Sequence, residues 1–417
     1  MAARRATFLT RLGPGILLAA TGVGAGDLAT AGIAGTRFGA VLAWAVVLGA
    51  GLKFVMTEGL TRWQLATGTT LLEGATRRLG RPFQVLFLLY LLPWSFFTGG
   101  ALMGACGSAM NAIAPLDPAD PGVGRVVYGV AHSAVGVALV LAGGFKLFER
   151  VMAATIGVMV AGVLLTVVLS RPDLGEFARG LAVPRVPRAE GGLAWTVALL
   201  GGVGGTVTIL CYGYWIREHG RRGAADLAAC RVDLGVGYAV TALFGVCMLV
   251  IASRTPVAAG GSGSSLLISL AESLGAPHGP VGKWAILLGA WAAIASRLLA
   301  EWQAEPSLFA DFLLNRRAGG DEPPREVSTR SLAYRGYLVA LAVGPIPMLF
   351  VKFATAQKAY AVFGATFIPL VAGLLLYMNG RASWVGAHRN RWWTAAALVA
   401  SVVLFAWFGW VEVSGGV

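Results

Sequence analysis

Residues 22 to 30 read Gly-Val-Gly-Ala-Gly-Asp-Leu-Ala-Thr, which sets one carboxylate, Asp27, among three glycines inside an otherwise apolar run. Hydrocarbon offers no partner to a charge or to a bare backbone group. Such a stretch therefore persists only where it lines a cavity or is sheathed by protein. Asp27 is accordingly a candidate site residue. A second glycine cluster, Gly201, Gly202, Gly204 and Gly205, is followed by Thr206 and Thr208. Where two such runs interrupt helices, free backbone groups gather near the bilayer midplane. Two plainer readings stand beside this one: glycines in membrane helices also serve close packing, and a threonine hydroxyl also bonds back to its own helix.

Other charges fall within apolar runs. Lys53, and Arg297 with Glu301, lie deeper than the snorkelling of a side chain at a helix end explains. Arg297 and Glu301 stand four apart, one helical turn on the same face, as a neutralised structural pair would. The sharper alternative is that Arg297 or Lys53 is a fixed cation standing in for a coupling ion. Glu305, one turn beyond Glu301, is a weaker candidate for the cation pathway. Glu58 and Arg62 read as an interfacial pair, and His132, alone in its segment, as a packed or interfacial histidine and not a ligand.

The elements that carry these residues follow from composition. Of 417 residues 57% are apolar and 13% charged, against roughly 25% charged in a soluble domain. Segments long enough to cross about 30 Å of hydrocarbon lie near 13–35, 38–60, 84–113, 126–144, 148–169, 193–216, 235–253, 281–303, 331–351, 357–378 and 392–412. That pattern predicts an all-α polytopic membrane protein of eleven spans, with the first and sixth interrupted. No polar stretch is long enough for a soluble core, and 171–192 and 315–330 read as solvated loops. Lys and Arg in the loops divide 21 to 10 between the two sides, which predicts a cytoplasmic N-terminus and an external C-terminus in a bacterial-type plasma membrane. The formal charge of +13 sits in short loops beside spans, where topology and anionic headgroups account for it without nucleic acid. Cys106, Cys211, Cys230 and Cys247 lack metal or disulfide spacing. The tryptophans, Trp44, Trp94, Trp284, Trp392 and Trp393 among them, read as interfacial anchors. HExxH, phosphate-loop and nucleophile–base patterns are missing, so an enzyme is not expected, nor a resident cofactor, nor an obligate protein partner.

Gly13-Pro14-Gly15, Ala66-Thr67-Gly68, the run Phe145-Lys-Leu-Phe-Glu149-Arg, Arg171-Pro172-Asp173 leading to Gly180-Leu-Ala-Val-Pro184, and Phe367-Ile368-Pro369-Leu370 come in an order and spacing that resembles the Nramp family of divalent metal transporters. The resemblance implies the LeuT-type fold. Its two inverted repeats of five spans would occupy 13–170 and 193–378 of a single transmembrane domain (1–417), with an extra helix at 392–412. The functional motifs depart from the family. Its first-span Asp-Pro-Gly-Asn corresponds to Gly24-Ala25-Gly26-Asp27, so the family's metal-binding Asp becomes Gly24 and its Asn becomes Asp27. Its sixth-span Met and His become Thr208 and Leu210. Gln357 opens the tenth span, where the family has a polar metal-facing residue. The third-span acids become Thr98 and Ala101, so no proton relay can be drawn.

Losing the thioether hardens the site, which the resemblance implies is assembled from the Asp27 carboxylate, the carbonyls near Thr21, Gly24 and Gly205, the Thr208 hydroxyl and retained water. Carboxylate, hydroxyl, carbonyl and water suit magnesium or manganese, and a partly hydrated Mg²⁺ needs few protein ligands. The resemblance thus implies a carrier of a hard divalent cation without proton coupling, the alternative being a small organic solute such as an amino acid. If Asp27 is the central ligand, Asp27→Ala abolishes the heat of Mg²⁺ and Mn²⁺ binding in isothermal titration of the purified protein; undiminished heat removes Asp27 from the site.

Overall fold

A computed structural model of the chain describes residues 13–171, 173–202, 204–253, 264–316 and 326–413, with backbone alone at 25–29, at 264–278 and at scattered positions of the last helices. Every regular element among these residues is helical. In chain order they are α1 Gly13–Gly22, α2 Ala25–Phe38, α3 Ala43–Thr67, α4 Leu71–Ile113, α5 Pro121–Ser170, α6 Leu174–Ala182, α7 Gly192–Gly202, α8 Tyr212–Glu218, α9 Leu227–Ser253, α10 Ser264–Asn315, α11 Leu332–Val343, α12 Phe353–Asn379, α13 Ala382–Val385 and α14 Trp392–Val413. Seven described stretches are long and apolar enough to cross a membrane outright, and Gly13–Gly22, Thr366–Asn379 and Trp392–Trp407 are shorter apolar helices. Gly144, at φ 59° and ψ −174°, breaks α5 between the fourth and fifth expected spans.

The helices pack as two groups. α4, α5, α10 and α11 rest on one another, while α1, α2, α3 and α7 gather around α9 and each other. The first and sixth spans belong to the second group, and both are interrupted as their glycines predict: α1 gives way to α2 at Val23–Gly24, and α7 ends before Gly204. Small residues permit the close approaches on which lipid-solvated helices rely. At Gly107 of α4 a Cβ would stand 1.9 Å from the Arg125 carbonyl of α5.

Two expectations change in detail. The segment after Arg171 holds a short helix, α6, whose first turn is capped by Asp173: its Oδ1 accepts from the N–H groups of Gly175 and Glu176 at 2.8 and 3.1 Å. The Glu58–Arg62 pair, at 2.7 Å, is buried and not merely interfacial. Glu58 also takes Arg231 of α9 at 2.7 Å, and Arg62 donates to the carbonyls of His388 and Arg389 and to Asn390. That cluster ties α3, α9 and the turn before α14 together.

Gly107→Ala is expected to force α4 from α5, at a cost of about 1–3 kcal/mol, and to lower the thermal unfolding midpoint in detergent. An unchanged midpoint would contradict the tight approach.

Candidate functional site

The two helix breaks touch. Gly204 and Gly205 sit at φ 92° and 79°, a left-handed conformation that glycine adopts without strain. The Gly204 N–H donates to the Gly22 carbonyl at 3.3 Å. A Cβ on Gly22 would stand 3.1 Å from the Gly204 Cα. Past Gly205 the chain enters a 3₁₀ turn, Val207–Cys211, and continues as α8.

A broken helix leaves carbonyls without intrahelical partners, and its C-terminal end carries partial negative charge. Protein cations sit on two of the carbonyls concerned. The Arg297 Nη1 of α10 donates to the Thr21 carbonyl at 2.6 Å, and the Lys53 Nζ of α3 donates to the Gly205 carbonyl. Thr21 and Gly205, expected as metal ligands, therefore face fixed charges. Arg297 also donates to the Tyr360 hydroxyl at 2.6 Å and lies 3.6 Å from Glu301, both of them buried. Gly24 makes room for it: a Cβ there would stand 2.3 Å from Arg297 Cδ. The stem of a guanidinium thus fills the space that a side chain at position 24 would enter.

One turn further along α10 lies Glu305. Glu301 and Glu305 are completely buried, and among the described residues none of their four carboxylate oxygens has a hydrogen-bond donor. Their helix packs against the 3₁₀ turn, and Trp94 and Ser95 of α4 stand beside Glu305. Ser95 pairs with the Tyr337 hydroxyl at 2.6 Å. Unsatisfied buried carboxylates are costly and concentrate where a ligand or ion passes. Among the described residues the buried Thr208 hydroxyl has no hydrogen-bond partner, and no bond back to its own helix is formed.

Asp27 is the third residue of α2, where carboxylates also suit the helix N-terminus; its side chain lies outside the described residues, as does that of Gln357 on α12. His132 packs as expected, with Nε2 accepting from Trp291 Nε1 at 2.9 Å. Trp94 is corrected: it is fully buried beside Glu305, its ring 5.3 Å from that of Tyr360, and is no interfacial anchor. Tyr360 went unrecognised in the sequence. Its one signal is the three-residue spacing from Gln357, which puts both on neighbouring positions of one helix face. Among the described residues no three His, Cys, Asp or Glu side chains gather as a metal site.

The chain is similar to several known proteins. The divalent metal cation transporter MntH of Chromohalobacter salexigens is 29% identical over 193 residues, covering 44% of this chain and 42% of that protein. An uncharacterised Pasteurella multocida protein, PM0681, is 25% identical over 290 residues, covering 66% and 63%. The matched stretches thus span less than two thirds of these relatives' own length. A crystal structure of a single-residue variant of the Eremococcus coleocola manganese transporter superposes with a TM-score of 0.76 at 16% identity, over 100% of this chain and 89% of that one, a likeness of fold. The family model described as Nramp, natural resistance-associated macrophage protein-like, matches residues 15–411, and with nearly the whole sequence inside that match the chain belongs to the Nramp family.

Proposed function

We propose that the chain is a secondary carrier that moves a hard divalent cation of the magnesium or manganese class across the membrane by alternating access, without proton coupling. The observation that carries this reading is the pair Glu301 and Glu305: buried carboxylates, without hydrogen-bond donors among the described residues, on the helix that faces the sixth-span turn. Carboxylate oxygens are hard ligands, and an ion that keeps part of its water needs few of them. Asp27 adds a third on α2, which packs against α10. The Gly24 carbonyl and the Thr208 hydroxyl remain in the ligand set. Thr21 and Gly205 leave it, because a metal there would meet Arg297 or Lys53 at close range, and like charges repel strongly away from water.

Fixed charge also supports the uncoupled mechanism. Arg297 bridges the first-span break and the eighth span, a place a mobile coupling ion could otherwise take, and the third span offers Thr98 and Ala101 in place of acids. The two packed helix groups give alternating access its rocking bodies. Membership of the family and the printed activities of the relatives, divalent cation and manganese transport, support the cargo class. The bias of basic loop residues supports a plasma-membrane carrier with its N-terminus inside. One observation favours a second cargo, a small organic solute bearing a carboxylate: at Gly24 the family's acid is replaced by space that a guanidinium fills.

Proteoliposome flux separates these. Mg²⁺ or Mn²⁺ is expected to enter without acidifying the lumen, and Glu305→Gln to weaken uptake about tenfold or more, as loss of a charged ligand would. Proton entry that scales with metal uptake would overturn the uncoupled mechanism, and amino-acid flux with metal silence would establish the second cargo. Separately, Arg297→Met should destabilise by about 3–5 kcal/mol, since it strands a buried carboxylate, and less in combination with Glu301→Gln. Additive losses in unfolding midpoint would show that the two side chains are not paired.

A further inference from the structure

Away from the helix breaks, an apolar groove of about 380 Å³ runs between α4 and α12, walled by Phe83 and Phe87 on one side and Leu370 and Leu374 on the other, with Leu210 of the sixth-span turn at its floor. It opens on the outer surface: Leu86 and Leu370 on its rim are 51% and 45% exposed. On a bilayer-spanning body that surface meets lipid tails.

One end of the groove is charged. Tyr377 lines it, and the Arg381 guanidinium stacks 3.8 Å from the Tyr377 ring and 4.6 Å from that of Trp384 in α13. Arg78, from the α4 wall, stacks over the same indole at 4.6 Å and over Trp63 at 5.6 Å. Two guanidiniums from opposite walls thus converge on one ring. Among the described residues neither forms an ion pair. Their mutual repulsion is relieved by an anion between them, and guanidinium forks match phosphate oxygens bidentately. Basic pockets between membrane helices beside a loop bind anionic headgroups. The continuity of that pocket with an apolar groove selects a molecule with both parts.

We propose that this groove is a binding site for an anionic phospholipid, its phosphate held between Arg78 and Arg381 and one acyl chain lying between α4 and α12. A free anion would explain the arginines but not the groove, and a neutral lipid the groove but not the arginines. The proposal is independent of which cargo the carrier moves.

Native mass spectrometry of the full chain in detergent, titrated with dioleoyl phosphatidylglycerol and with dioleoyl phosphatidylcholine, tests it. Phosphatidylglycerol is expected to bind about tenfold more tightly, and the Arg78→Gln/Arg381→Gln double variant to lose that preference. Leu374→Trp, which fills the groove, should weaken phosphatidylglycerol while leaving both arginines in place. The melting temperature of each variant shows whether it is folded, and Leu370→Trp serves in place of any groove variant that is not. Equal affinity for the two lipids, or an unchanged preference in the arginine variant, overturns the proposal. So does displacement of the lipid by inorganic phosphate combined with indifference to the tryptophan, which would mark a site for free anions.

Discussion

The contact on which the membrane-buried centre depends is the hydrogen bond from Arg297 to the Thr21 carbonyl. A helix that stops in mid-membrane leaves carbonyls that no lipid can satisfy. In this chain the eighth span reaches across and meets one of them with a guanidinium, while Lys53 meets another on the sixth-span side. With both cations in place the two breaks close on each other, Gly22 against Gly204. The rest of the centre follows from those charges: Gly24 has no side chain because Arg297 passes there, Tyr360 and Glu301 hold the guanidinium's far side, and Glu305 is left as an acid with no basic partner among the described residues.

This arrangement changes how the altered family motifs are understood. The resemblance sets Gly24, Thr208 and Leu210 where the family carries Asp, Met and His, which as sequence would be a series of losses from one site. In three dimensions the space beside Gly24 is not empty, since the Arg297 stem occupies it. Leu210 is not idle either: it floors the apolar groove on the outer face. Buried carboxylates stand on the eighth span, with Glu305 next to Trp94 and Ser95 of the third. Packing of the eighth span on the third and on the sixth-span turn is what brings these acids beside the helix breaks.

Flanking clusters hold the framework around this centre. Glu58 collects Arg62 and Arg231, Glu73 takes Arg217 at 2.6 Å, and Asp233 takes Arg221 at 3.0 Å with the Tyr212 hydroxyl at 2.9 Å. The first two join elements distant in the chain and the third joins neighbouring ones; each acid is buried, so desolvation is offset only because several donors converge on it. Buried pairs of this kind specify which helix ends meet more than they add net stability.

The fold was largely legible in the sequence, because hydrocarbon forces a simple grammar: apolar runs of sufficient length, basic loops, and glycine where a helix stops. The interruption of the first and sixth spans, the four-residue Arg297–Glu301 pairing and the lone packed His132 all follow from local spacing. What spacing could not supply was the partner across the bundle. Nothing near residue 24 signals that Arg297 occupies its side-chain space, nothing near residue 205 that Lys53 caps its carbonyl, and Trp94 looked interfacial because burial beside a distant helix leaves no mark on its neighbours. Local sequence determined which helices break, for breaking is a property of a few adjacent residues. Only tertiary packing decided which charges meet the broken ends, since in a medium without water each must find its partner on another helix.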